Sequence, residues 1–174
     1  GGTDIRERMH WLDDDLAAKT VEDRRAMMRR HEGANYDPGY GRAFERVRRI
    51  VDRDGDFRAD EDTVFASGFD DHAAGIGAGV LSYGGDVYYT CIPDLWKLSD
   101  KDGDGQAEEQ RKLSSGYGVH VALLGHDLHG LILGPDGKLY FSIGDRGLNV
   151  ETEGRRLFNP DSGAVLRCTP DGSG

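Results

Sequence analysis

Apolar and polar positions alternate most clearly just before residue 144, where Leu139, Phe141 and Ile143 would share one face of a strand. A shorter apolar run lies at 131–133. The residues between the two runs, 134–137, read Gly-Pro-Asp-Gly, which is typical of a tight turn. The pattern therefore predicts a β-hairpin at this point of the chain.

Short strand patterns recur along the chain, and Asp52 of one copy corresponds to Asp100 of the next, 48 residues later. A unit of four short strands with such a period is typical of a β-propeller blade. No helical pattern lies between the strands, which argues against a parallel α/β fold. We therefore expect an all-β fold, a partial β-propeller of about two and a half four-stranded blades. The expected blades are 42–69, 71–117 and 119–174, the last one truncated after a strand at Ala164–Cys168.

Residues 1–41 differ from the rest of the chain and predict an N-terminal helical segment followed by a turn-rich linker. Thr20 is the expected N-cap of a helix whose first turn is acidic and whose last turn is basic, an arrangement that suits the helix dipole. The acidic run 13–15 could be mistaken for a metal-binding cluster. We interpret it as the solvated entry to a helix.

The composition and net charge argue against nucleic acid and anionic membranes as binding partners. The chain has 174 residues, 26 of them glycine, and a net charge of −10, so nucleic acid and anionic membranes are not expected partners. No apolar run approaches the length of a membrane span, and no direct membrane insertion is expected. The chain starts and stops within turn-like sequence, which we interpret as a fragment that has lost any export signal. Cys91 and Cys168 match no metal motif, and either a disulfide or two buried thiols would fit them.

Two acidic loops resemble calcium-binding turns in their spacing. Carboxylates at alternate positions of a glycine-containing loop are the oxygen ligands that Ca²⁺ prefers. The second loop has glycine at the sharp sixth position, whereas the first has Phe57 there, which weakens the match. The alternative is an exposed acidic turn that binds no ion tightly, and either role would be structural. The candidate ligands are Asp52, Asp54 and Asp56 in the first loop and Asp100, Asp102, Asp104, Gln106 and Glu108 in the second.

Polar side chains flank the predicted hairpin at both ends. His126, Asp127 and His129 precede it, and Asp145 and Arg146 follow it. Because both ends of an antiparallel hairpin lie at the same edge of a sheet, these side chains should converge. A histidine has the pKa of a base that works near neutral pH, and a carboxylate on its second ring nitrogen would fix its tautomer.

The residues alone leave other interpretations open at this edge. His126 could simply satisfy loop carbonyl groups, and Arg146 could either face an anionic ligand or pair with Asp127. A metal site formed by His120, His126 and His129 is conceivable, although the spacing suits neither a helix face nor a strand face.

These motifs carry a resemblance to a known family. A histidine ahead of Gly-Pro-Asp and an aromatic strand ending in Ile-Gly-Asp-x-Gly resemble sugar dehydrogenases that use pyrroloquinoline quinone (PQQ), which are six-bladed β-propellers. The sequences WLDDDLAAKTVEDR, GVLSYGGDVYYTCIPDLW and GYGVHVALLGHDLHGL make the chain similar to the membrane-bound dehydrogenase-like propellers of planctomycete-type bacteria. Gly125 stands where the sugar dehydrogenases have an aspartate.

The resemblance implies a function for the whole protein. It would be an extracytoplasmic dehydrogenase that oxidises a sugar-like alcohol or aldehyde and passes electrons to a cytochrome c or a fused haem domain. His126 would be the general base and Asp145 its orienting acid, with PQQ and calcium as cofactors. His129, Arg146 and Asn149 would contact the cofactor, while the cations that grip the quinone carboxylates belong to later blades. The alternatives are a non-catalytic, calcium-stabilised propeller scaffold that binds carbohydrate or protein, and a lactonase-like hydrolase.

Overall fold

The computed structural model describes residues 3–37 and 45–174. Two α-helices lie near the N-terminus, α1 at Leu12–Ala17 and α2 at Val21–Glu32, and short 3-10 turns flank them at Ile5–Glu7, Met9–Trp11 and Gly33–Asn35. The Thr20 hydroxyl accepts the N–H of Asp23, so the predicted N-cap is confirmed. No helix in the described ranges has both the length and the apolar character needed to cross a membrane.

The remainder of the described chain is mostly β-structure. The strands are β1 Glu45–Val51, β2 Glu61–Phe69, β3 Gly79–Tyr83, β4 Asp86–Cys91, β5 Asp94–Ser99, β6 Glu109–Ser115, β7 Leu128–Leu133, β8 Leu139–Ile143, β9 Leu148–Thr152, β10 Arg155–Asn159 and β11 Ala164–Cys168. Within the described ranges they form antiparallel sheets in the orders β1-β2, β3-β4-β5-β6, β11-β8-β7 and β10-β9. The strands expected from the 48-residue repeat are therefore present, and the expected boundary between residues 41 and 42 lies outside the described residues.

The hairpin predicted from the alternating pattern is formed by β7 and β8. Leu139, Phe141 and Ile143 are buried on one face, as expected, while the residues between them are partly exposed. A bulge interrupts the pairing between His129 and Ile132. The strand β11 pairs with the other edge of β8, after the chain has made the additional hairpin β9–β10, which the sequence pattern did not predict.

Three apolar clusters hold these elements together. The largest packs the second sheet against the third, with Leu95, Leu128 and Leu139 fully buried. A second joins the first sheet to the second through Phe69, Tyr89 and Leu98. The third attaches the N-terminal segment to the sheets, because Trp11, Met27 and Met28 of that segment pack against Val121 in the loop between β6 and β7.

The acidic run 13–15 is only partly solvated, which corrects the interpretation above. Asp13 is exposed, but Asp15 is buried. Its two carboxylate oxygens accept the backbone N–H groups of Val121, at 2.7 Å, and Ala122, at 3.2 Å. Asp15 therefore connects the N-terminal segment to the loop that leads to β7, since an ionised carboxylate can satisfy two buried donors at once.

Candidate functional site

The structure brings His126 and Asp145 together at the edge of the third sheet. His126 lies two residues before β7 and Asp145 two residues after β8, and the N–H of Gly144 donates to the His126 carbonyl. The imidazole Nδ1 lies 2.8 Å from Asp145 Oδ1. The two side chains are 47% and 50% exposed, so a molecule arriving from solvent can reach them.

The contact between Asp145 and His126 determines which nitrogen of the neutral imidazole carries the proton. A carboxylate only accepts hydrogen bonds, so Nδ1 carries the proton in this pair. In the neutral ring the lone pair then lies on Nε2, which can accept a proton from a bound molecule. The pair therefore has the arrangement of a general base and its orienting acid.

We call His126 and Asp145 the dyad. The residue that follows each of them, Asp127 and Arg146, belongs to a second, buried pair. Asp127 and Arg146 are almost completely buried, and Arg146 Nε lies 3.4 Å from Asp127 Oδ1. Burial lowers the pKa of Arg146, and the neighbouring Asp127 acts in the opposite direction. The buried pair connects the two chain segments from which the exposed dyad projects. Of the two roles considered for Arg146, the structure shows the pairing with Asp127.

The structure gives protein partners to the residues expected to contact a cofactor. His129 lies within β7 opposite Ser142. The Asn149 amide donates to the Lys19 carbonyl, and its oxygen accepts from Arg156. Asn149 lines a separate polar groove of about 670 Å³ beside the start of α2. Arg146 is buried and Asn149 is engaged by Lys19 and Arg156, so neither presents a free polar group, and the expectation that these residues contact a cofactor stays a prediction.

The conceivable three-histidine metal site is not formed either. His120 is buried, and its Nδ1 lies 2.5 Å from the Asp15 carbonyl oxygen, to which it donates. Among the described residues, the groups with a geometry suited to a metal ion contain no histidine. His120 therefore has a structural position under the N-terminal segment.

The second acidic loop gathers carboxylates around one point. One ligand atom from each of Asp100, Asp102, Asp104 and Glu108 lies within 4.8 Å of all the others. The Asp100 oxygens accept the N–H groups of Gly103 and Gly105, both of which have positive φ. The side chain of Gln106 donates to Asp104. These four carboxylates could hold a metal ion, and calcium, the ion expected from the sequence, stays a prediction.

The first loop repeats this conformation with different side chains. Asp52 accepts the N–H groups of Gly55 and Phe57, and Phe57 adopts φ 66° where the second loop has glycine. The ligand group here consists of Asp52, Asp54 and Asp60. Asp56, expected as a ligand, lies outside that group, and its carboxylate accepts the N–H of Arg58.

The two cysteines are free and buried. Cys91 ends β4 and belongs to the cluster between the first and second sheets, whereas Cys168 ends β11 in the cluster between the second and third sheets. Burial raises the pKa of the Cys91 thiol to about 12 and that of Cys168 to about 11. Of the two possibilities left by the sequence, the structure has the free thiols.

The structure also contains a buried charge cluster that the sequence pattern did not predict. Arg24 of α2 lies beneath the loops, and its guanidinium donates to the Ala73 carbonyl at 2.5 Å. Together with Asp15, Asp127 and Arg146, which interact with it electrostatically, it forms a group of two cations and two anions. The only signal in the sequence was the placement of Arg24 on the same helical face as Val21 and Met28, which are also buried.

Comparison with known proteins gives a family without a described activity. No curated protein and no solved structure matches the chain. One family model matches residues 25–173, which is most of the chain, and its description reads "Domain of unknown function (DUF7133)". The sheets, the acidic loops and the His126–Asp145 pair all lie within the matched residues, and the chain belongs to the DUF7133 family.

Proposed function

We propose that the chain is the base-bearing part of a β-propeller dehydrogenase that oxidises a sugar-like alcohol or aldehyde. The observation that carries the proposal is the 2.8 Å contact between His126 and Asp145 on two half-exposed side chains. The successive antiparallel sheets and the 48-residue repeat support their interpretation as propeller blades.

The proposed step is a dehydrogenation at a carbon that bears a hydroxyl group. His126 Nε2 takes the hydroxyl proton, and the hydride of the same carbon, with its two electrons, would pass to a two-electron acceptor of the quinone class, which leaves a carbonyl group on the substrate. Asp145 keeps the proton of the neutral imidazole on Nδ1 and stabilises the imidazolium that forms. For an aldehyde, the reacting species is its hydrate, and the product is a carboxylic acid.

PQQ, the cofactor implied by the resemblance, is not supported by the residues of this chain. A quinone with several carboxylates needs accessible cations. Arg146 is 2% exposed and paired with Asp127, and Asn149 is bonded to Lys19 and Arg156. The cations that hold a quinone-class acceptor would therefore lie outside the residues described here, as the resemblance implies, and PQQ is the acceptor that the assay supplies. The resemblance alone supports an extracytoplasmic location and electron transfer to a cytochrome c or a fused haem domain.

The proposal is tested by the activity of the complete protein, reconstituted with PQQ and Ca²⁺ and assayed with a redox dye over a panel of sugars. We expect His126→Gln to lower kcat/KM by about 10²–10⁴-fold, the usual contribution of a general base. His10→Gln is the matched control, because His10 is exposed and lies in the N-terminal segment. Turnover in His126→Gln equal to that of the control would refute the role of the dyad.

A second candidate is a non-catalytic, calcium-stabilised scaffold, which the carboxylate geometry of the acidic loops favours. The N–H of Ala107, directly after the second loop, donates to the Phe65 carbonyl of β2. An ion held by Asp100, Asp102, Asp104 and Glu108 would thus stabilise the contact between the first and second sheets.

Calcium titration tests the scaffold candidate. We expect Ca²⁺ to bind and to raise Tm, and we expect Asp100→Asn to remove most of both effects. Asp13→Asn, an exposed change elsewhere, should remove neither. Calcium binding in a protein that oxidises no sugar would favour the scaffold, whereas equal Tm with Ca²⁺ and with a chelator would exclude it.

A further inference from the structure

A small cavity lies where the N-terminal segment meets the loops under the dyad. Its polar side chains include the guanidinium groups of Arg24 and Arg146, which are 3% and 2% exposed. The Nε atom of Arg24 is buried and has no hydrogen-bond partner, and the buried Nε of Arg146 forms no hydrogen bond either, although it lies 3.4 Å from Asp127 Oδ1. The rest of the wall consists of Thr3, Met28, His72, Ala73, Ala74 and Val121. Buried N–H groups of this kind cost free energy unless something accepts from them.

The wall supplies donors and few acceptors. The carbonyls of Ala73 and Thr3 already accept from the terminal nitrogens of Arg24, at 2.5 Å, and Arg146, at 3.4 Å. No carboxylate lines the cavity among the described residues. A water molecule would bring two further protons that need acceptors, whereas an anion brings only acceptor capacity.

The nearby acids balance the two arginines without entering the cavity. Asp15 is bonded to the N–H groups of Val121 and Ala122, and Asp127 lies beside Arg146. The cationic guanidinium groups of Arg24 and Arg146 nevertheless lie next to each other along the cavity wall. Burial, and after it the neighbouring Arg146, lowers the pKa of Arg24 to about 9.

We propose that this cavity binds one small monovalent anion of the chloride class between Arg24 and Arg146. The cavity offers about 10 Å³ to the centre of a water molecule, which is room for about one water-sized species and excludes sulfate or a carboxylate-bearing metabolite. Because Arg24 belongs to α2 and Arg146 follows Asp145, the anion joins the N-terminal segment to the strand end that carries the dyad. The site is independent of the proposed dehydrogenase activity.

Thermal unfolding of the full chain tests the site. At constant ionic strength, replacing sodium gluconate by sodium chloride or bromide should raise Tm by several degrees and saturate with concentration, because the anion binds the folded state. Sodium sulfate should give no saturable rise. In Arg24→Met the dependence on chloride should disappear, while the exposed-site control Arg155→Met should keep it.

A direct measurement on the unmodified protein covers the case in which Arg24→Met does not fold. Chloride-35 NMR should show line broadening that bromide competes away, and crystals soaked in bromide should show an anomalous peak between Arg24 and Arg146. Equal Tm in chloride and gluconate, or bromide-soaked crystals without that peak, would overturn the proposal and assign the cavity to water.

Discussion

Replacement of Asp15 by alanine should destabilise the protein strongly, although the residue stands in an acidic run that looks like surface. The change removes the acceptors of two buried N–H groups, those of Val121 and Ala122, and also one of the two carboxylates that balance Arg24 and Arg146. Hydrogen bonds to a charged group contribute about 1.5–3 kcal/mol each, and a broken buried charge pair costs about 3–5 kcal/mol. We expect a loss of about 3–5 kcal/mol in the free energy of unfolding, less than the sum of these contributions, because contributions that share one carboxylate are not additive and water can partly enter the site.

The assay is urea unfolding followed by tryptophan fluorescence, with Asp13→Ala as the matched control. Asp13 belongs to the same run but is exposed, so its replacement should change the free energy by no more than about 0.5 kcal/mol. For a chain of this size, the loss in Asp15→Ala corresponds to a Tm lower by about 10 °C. Equal midpoints for the two variants would refute the conclusion that Asp15 attaches the N-terminal segment to the loop before β7.

Two further predictions concern backbone geometry and acid stability. Gly116 has φ 115°, and an added Cβ would lie 2.1 Å from the Asn149 carbonyl oxygen. Gly116→Ala should therefore lower the free energy of unfolding by about 3 kcal/mol or more. Gly84 also has positive φ, but nothing lies near its added Cβ, so Gly84→Ala should lower the same quantity by only about 1 kcal/mol in the same assay. The Arg6 guanidinium, and after it the Leu124 N–H, hold the pKa of Asp4 well below its usual range. The stabilisation from ionised Asp4 is therefore complete above the ordinary pKa of about 3.9 and is lost as pH falls through the lowered folded-state value. The stability difference between wild type and Asp4→Asn should be constant at neutral pH and shrink below about pH 4; a difference that grows on acidification would contradict this sign.

The sheets could be predicted because their signal is local and repeated. Alternation at Leu139, Phe141 and Ile143 indicates a strand with one buried face, and the glycine-rich turn before it defines the hairpin. The copies of the acidic loop, at Asp52 and Asp100, gave the period on which the division into sheets depends. The repeat also predicted the strand at Ala164–Cys168, which the structure has as β11.

The inserted hairpin β9–β10 could not be predicted from the same pattern. Its strands carry few buried residues, and Arg155 to Phe158 are all exposed, so the apolar alternation that marks a core-facing strand is weak there. The hairpin is connected to the second sheet by contacts distant in sequence, such as the N–H of Asn149 donating to the Gly116 carbonyl. Such contacts leave no periodic signal.

The meeting of His126 and Asp145 was predictable, but their surroundings were not. Hairpin topology alone brings the two chain segments to one edge, whatever residues they carry. Whether an adjacent charged residue points to solvent or into the interior depends on what packs above it. Arg146 was a candidate for ligand contact because the sequence contains no sign that the N-terminal segment covers it.

The position of the dyad therefore depends both on the β7–β8 hairpin and on the N-terminal segment that packs against the loop before β7. From within, the β7–β8 hairpin sets the spacing of His126 and Asp145. From outside, Asp15 holds the loop backbone, and Arg24 adds a second cation beside Arg146 and Asp127. The family match begins at residue 25, so it includes the hairpin and omits both of these outer contacts. A chain that began with the matched residues would leave two N–H groups without their acceptor and the Asp127–Arg146 pair without its cover. The physical unit that supports the site is thus longer than the matched range and includes α1 and all of α2.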